Sequence, residues 1–206
     1  MTYSNICWDS NNNSGFTISG ATITPQHVNP AWDNHIISEN TNTASASPKI
    51  KITADNMDSW NVGLAYDPIT GSSTHAAIEY GVHMNDVGQA TARASGSVLT
   101  TLKSNCTTSD VFEVEILTTG CKWYVNGVLE HTITSGFGST TFYAQATCKS
   151  TGTNITVQYE NMTAGSCSGG SSGGGSSGGS STPGSAPTDD GGAGEYLLYL
   201  NTYPLR

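Results

Sequence analysis

Apolar and polar residues alternate with a period of two from Gly15 to Tyr159, the pattern of half-buried β-strands. In AAIEYGVHM, Ile78, Tyr80, Val82 and Met84 share one face, and Glu79, Gly81 and His83 share the other. In DVFEVEIL, Phe112, Val114 and Ile116 oppose Glu113 and Glu115. TFYAQATC sets Phe142, Ala144, Ala146 and Cys148 on one side, as NITVQYE does with Ile155, Val157 and Tyr159. Shorter runs at GFTIS, HIIS, KIKIT and WNVGLAY bring the expected total to about twelve strands. No stretch carries a helical period.

Turn chemistry agrees. Asn126 and Gly127 separate the alternating runs CKWYV and VLEHTI, and these two residue types best tolerate the positive φ of a type I′ hairpin turn. Thr119-Gly120 divides the Glu113 run from the Trp123 run, so 110–133 reads as a three-strand meander. Many short strands with frequent turns predict an all-β, two-sheet antiparallel sandwich of jelly-roll type.

The alternation ends abruptly. Residues 165–194 are almost wholly Gly, Ser, Pro and small polar residues, and the chain closes with EYLLYLNTYPLR. The organisation is a domain over 1–164, a flexible linker over 165–194 and an apolar segment over 195–206. The 27 residues of 168–194 have a root-mean-square span of roughly 26–31 Å. The tail carries Tyr196, Leu197, Leu198, Tyr199, Leu200 and Tyr203, residues that favour a strand, with Pro204 to end the ladder. Both faces of such a strand are apolar, so burial on both is expected. Addition to an open sheet edge provides it. The destination is the parent domain, an identical neighbouring subunit or another protein. The second is preferred, because the linker is longer than self-docking needs. That head-to-tail contact closes a ring or grows a filament.

Composition narrows the class. Only 11% of residues are charged, with Ser, Thr, Asn and Gly in their place, which suits an extracellular or virion-surface protein. Seven Lys and Arg against a net charge of −9 leave too few cations to neutralise phosphates, so nucleic acid is not an expected partner. No apolar run is long enough to span a membrane. The opening MTYSNICWDS lacks the regions of a secretory signal, implying a signal already removed or exit by another route such as lysis. Cys7, Cys106, Cys121, Cys148 and Cys167 fit no zinc spacing. They permit two disulfides and one leftover thiol, or five small buried hydrophobes. Four N-x-S/T sequons match the chance expectation of about four for this Asn, Ser and Thr content, so they carry no signal.

The segments WNVGLAYDP, HAAIEYGVHMNDVGQATARASG, SDVFEVEILTTGCKWYVNGVLEHT and TFYAQATCKS…NITVQYENM resemble, in that order, concanavalin A-like jelly-roll domains of the lectin and glucanase superfamily, which includes laminin G-like and SPRY-like modules. The resemblance covers about residues 15–163 and points to a microbial or phage adhesin or fibre type. It implies carbohydrate-binding modules, adhesins, tail-fibre parts and some glycoside hydrolases as relatives.

Catalytic chemistry is weakly provided. A jelly-roll glycosidase needs two carboxylates across a cleft. Glu113 and Glu115 alternate on one strand, but they stand opposite its apolar face and read as solvated, and the E-x-D-x-x-E pattern of jelly-roll glucanases is absent. His27, His35, His75, His83 and His131 are scattered, and no G-x-S-x-G occurs. Asp55 and Asp58 in ADNMDS fall short of a calcium loop, so no metal and no cofactor is expected. Trp60 and Trp123 read as core; Trp8 and Trp32, in polar surroundings, are the candidate glycan-stacking residues. The expected function is a non-enzymatic structural protein that assembles into an extracellular fibre or virion appendage by docking its C-terminal strand on a neighbouring subunit. The alternative is a carbohydrate- or receptor-binding module anchored by its tail.

Overall fold

A computed structural model describes residues 2–27, 32, 34–66 and 78–167. The tail residues Tyr196, Leu197, Leu198, Tyr199, Leu200 and Tyr203, the linker over 168–194 and His75 lie outside them. In chain order the strands are β1 (Ser4–Asn5), β2 (Trp8–Ser14), β3 (Phe16–Ser19), β4 (Thr22–Pro25), β5 (Asn34–Thr43) and β6 (Lys49–Ala54). They continue with β7 (Trp60–Ala65), β8 (Tyr80–Met84), β9 (Ala90–Ala94), β10 (Ser97–Lys103) and β11 (Phe112–Leu117). The last four are β12 (Gly120–Val125), β13 (Val128–Thr134), β14 (Thr141–Cys148) and β15 (Ile155–Glu160).

All pairings are antiparallel, and the strands form two sheets. Sheet A has the order β13-β12-β11-β6-β15-β4-β3, with β1 also paired to β15; sheet B has the order β10-β9-β8-β7-β14-β5-β2. The expected all-β sandwich is thus present. The meander over 110–133 appears as β11, β12 and β13, joined at one turn by Asn126 (φ 53°) and Gly127 (φ 78°).

Alternation places the core between the sheets. Trp60, Val62 and Leu64 of β7 and Phe142, Ala144 and Ala146 of β14 point inward from sheet B. They meet Ile50 and Ile52 of β6, Phe112, Val114 and Ile116 of β11, and Trp123 of β12. Trp60 and Phe112 pack edge to face with centroids 5.9 Å apart, the favoured aromatic arrangement. The Trp123 indole N–H donates to the Gly81 carbonyl at 3.0 Å, so a sheet A ring is satisfied by sheet B backbone.

Three expectations need correction here. Trp8 is not exposed: it is only 3% accessible, and its indole N–H donates to Ala21 O at 3.1 Å. Ile78 does not share a face with Tyr80, Val82 and Met84. Regular pairing begins at Tyr80, and the Ile78 side chain turns back over Gly63 and Gly81 on the outside of sheet B. The cysteines form one bond among the described residues, Cys7–Cys167. Cys121 and Cys148 are buried and Cys106 half-buried as free thiols. The Cys7–Cys167 bond ties residue 167, within the expected linker, back to the domain.

Candidate functional site

The two outer faces differ in chemistry. On sheet A, cross-strand partners form a row of alternating charge: Lys122, Glu115, Lys49 and Glu160. Beside it run Tyr124, Glu113, Lys51 and Gln158. Each Glu113 and Glu115 carboxylate is engaged. Glu113 pairs with Lys49 at 3.2 Å and accepts the Tyr3 hydroxyl, and Glu115 accepts the Tyr124 hydroxyl at 2.6 Å. Lys49 also lies 4.6 Å from the Tyr124 ring centroid. Burial first, and then the neighbouring carboxylate, hold both phenols well above the ordinary tyrosine range. Glu113 is therefore not solvated as expected: it is buried at 7% exposure because Tyr3, ahead of β1, covers it. These acids are held in a structural lattice.

Sheet B presents a polar face whose two central rows hold one arginine and no carboxylate. Register aligns Ile37, Gln145, Gly63, Gly81 and Arg93 in one row and His35, Thr147, Asn61, His83 and Thr91 in the next. Two glycines between Gln145 and Arg93 leave a floor without side chains, onto which Ile78 folds. Gln145 is fully buried, and among the described residues neither its amide nitrogen nor its amide oxygen has a hydrogen-bond partner. The Thr147 hydroxyl, two residues along the same strand, is in the same condition. Arg93 donates from one terminal nitrogen to Gly96 O at 3.1 Å while its Nε has no partner, and burial pulls its guanidinium below the usual value. Trp32, at φ 63°, sets its ring 5.3 Å from that of His83.

The candidate glycan pair is thus split. Trp32 is half-buried on the sheet B face, whereas Trp8 is in the core. The residues that define this face, Gln145, Thr147 and Arg93, carry no sequence motif; the signal that could have marked them was the outward phase of TFYAQATC once Phe142 and Ala144 are assigned inward.

Other candidates resolve as structure. Both Asp55 carboxylate oxygens accept from Asn154, at 2.7 Å from its backbone N and 2.6 Å from its amide. Among the described residues no group of three His, Cys, Asp or Glu could hold a metal ion. His131 packs 5.6 Å from the Trp123 ring. Burial pushes the Cys148 thiol up to about 12 and raises Cys121 and Cys106 too, which disfavours the nucleophilic thiolate.

A third feature lies at the flank where β10 and β13 are the outermost strands of their sheets. Val98 and Leu99 of β10 are 55% and 37% exposed, and Val128 and Leu129 of β13 are 59% and 49% exposed.

No family model and no curated protein matches the sequence. Solved structures do match in fold. The SPRY domain of human HERC1 superposes with a TM-score of 0.57 at 12% identity, over 73% of this chain and 96% of that one. The TRIM65 PSpry domain gives 0.54 at 12% identity, over 74% and 91%. A human SPRY domain gives 0.53 at 10% identity, over 70% and 94%. The likeness is one of fold: a two-sheet antiparallel jelly-roll sandwich like that of these SPRY domains. These neighbours give no support to the microbial or phage adhesin type that the sequence suggested.

Proposed function

We propose that this chain is a non-catalytic interaction module that assembles with copies of itself, handing its C-terminal strand to the sheet edge of a neighbour. SPRY domains are in general non-catalytic modules of protein interaction. The observation that carries the proposal is the open flank: both sheets end there, and four large aliphatic side chains stand exposed. The chain also supplies a segment, 195–202, whose length of about 27 Å and two apolar faces suit such an edge. An extracellular fibre or virion appendage is the setting that this assembly and the charge-poor surface suit. Light scattering across a concentration series tests it, on the full chain and on a chain ending at Ser168. Large species that grow with concentration and vanish on truncation are the expected result. Two monomeric species would overturn it.

One observation favours a second role, binding of a neutral hydroxyl-rich ligand such as a glycan on the sheet B face. The Gln145 amide and Thr147 hydroxyl are uncharged, unpaired donors and acceptors buried beneath this face, and the half-buried Trp32 ring packs on His83, which lies in the same row as Thr147. No membrane-crossing helix exists among the described residues. A glycan-array signal lost in Trp32→Ala would support this role, and a blank array would remove it.

A further inference from the structure

We infer that the receiving edge is β13, the last strand of sheet A, on a second copy of this chain. This rests on the assembly proposed above and specifies its acceptor. Among the described residues the two sheets end in β13, β3, β10 and β2, with β1, only two residues long, off the path on β15; apart from β13 these are poorly suited. β3 has only four residues, and its outward positions are Thr17 and Ser19, so one of its faces is polar. β2 is WDSNNNS, and its ladder to β5 is interrupted between Trp8 and Asn13. The β10 ladder breaks twice within seven residues, and breaks of that kind twist an edge away from further pairing.

β13 also has seven residues but a single break, between the partners of Trp123 and Tyr124. His131, Thr132, Ile133 and Thr134 then continue in unbroken register with β12. Its two exposed aliphatics lie on opposite faces. Val128 pairs with core-facing Val125, and Leu129 pairs with Tyr124, which belongs to the outer face. A strand laid beside β13 therefore meets apolar surface above and below the sheet. In the tail, Tyr196, Leu198 and Leu200 alternate with Leu197 and Tyr199, giving a strand apolar on both faces. This two-sidedness matches segment to edge, where a one-sided strand would match β3.

Reach permits transfer between copies. Cys167 is bound to Cys7, and the Gly/Ser-rich sequence of the 27 residues of 168–194 is expected to span roughly 26–31 Å on average and about 90 Å when extended.

The test uses the full chain throughout, with assembly read by light scattering and edge protection by amide hydrogen exchange. Val128→Lys with Leu129→Lys is expected to raise the concentration for half-assembly about tenfold or more, because two charges would enter the added ladder. Both positions are exposed, so the fold tolerates the change. Val98→Lys with Leu99→Lys should shift it less than about twofold. In wild type, β13 amides should slow their exchange on assembly while those of β3, β2 and β10 do not. Unchanged assembly in the β13 variant, or protection gained at another edge, overturns the assignment of β13. Leu198→Lys with Leu200→Lys separates the two levels: if that variant still assembles, the tail is not the donor and the proposed function itself fails.

Discussion

The outer faces of the two sheets solve the same problem in opposite ways. Both must place polar side chains on a strand whose other side is core. Sheet A gives each polar group a partner of opposite character: Lys122 beside Glu115, Glu115 beside Lys49, Lys49 beside Glu160, with Tyr3 and Tyr124 donating to the carboxylates. Sheet B instead buries a neutral amide and a hydroxyl that nothing satisfies, at Gln145 and Thr147, around a floor of two glycines. A buried unpaired polar group costs about 1–3 kcal/mol. A face that carries several is either poorly optimised or kept for a ligand. The charged face, which resembles a pair of catalytic acids in sequence, is a paired lattice, whereas the bland Gln/Thr face is the one that carries unpaired polar atoms.

The comparison breaks most sharply at Gly63. A Cβ there would come 2.2 Å from the Tyr80 carbonyl oxygen and 2.6 Å from Ile78 Cγ2, and the backbone oxygen cannot move aside without breaking the β7–β8 ladder. Gly63→Ala is expected to cost about 3 kcal/mol, at the upper end for overpacking, measured by urea denaturation. The sheet A counterpart is Glu113→Ala, which leaves Lys49 and the Tyr3 hydroxyl without their acceptor. Its expected cost is about 2 kcal/mol, below that of a fully buried pair because Lys49 and Glu113 keep 13% and 10% of their side-chain exposure. A cost near zero would mean that the sheet A lattice is ornamental.

Most of the sandwich was legible because its signal is local. Alternation in DVFEVEIL, KIKIT and NITVQYE reports a strand with one face in the core, and the Asn126-Gly127 turn needs only two residues to be recognised. Strands without that contrast escaped. β2 is WDSNNNS, an edge strand with little to bury, and β9 faces the core with Ala90 and Ala92, whose small side chains give a weak period. Ile78 misled because alternation assumes that the strand continues, whereas two paired glycines leave room on the outer face of sheet B for the side chain to fold over them. Trp8 misled because polar neighbours in sequence say nothing of Ala21 O, thirteen residues on, which binds its indole. Burial of Glu113 depends on Tyr3, 110 residues away, a contact that no local pattern records.

Replacing the orphan amide sharpens the contrast further. Gln145→Leu keeps the shape of the side chain and removes two unpaired polar atoms, so stability should rise by about 1 kcal/mol. The same substitution on a face built for structure would be destabilising. A loss of 1 kcal/mol or more by urea denaturation would show that Gln145 makes a bond essential to the fold and would end its candidacy as a ligand contact.

The smallest effect is a titration at the outer face of sheet A, beside that of core-packed Tyr80 in sheet B, whose phenol is pushed by burial up to about 12. Burial and a carboxylate neighbour raise the Tyr3 and Tyr124 phenols in the folded protein, whereas unfolded tyrosine titrates near pH 10. For a raised folded pKa, the associated stability is complete below the unfolded value and disappears as pH climbs through the folded one. The outer face of sheet A should therefore loosen only in strong alkali, with the Tyr3 and Tyr124 hydroxyls among the last to ionise. Tyrosinate absorbance at 295 nm follows this directly: Tyr3→Phe and Tyr124→Phe should each remove late-titrating amplitude and leave the earlier part of the curve in place. If either variant removes amplitude near pH 10 instead, that phenol is not held by its carboxylate. The charge row would then be an arrangement of exposed side chains no more committed to structure than the opposite face.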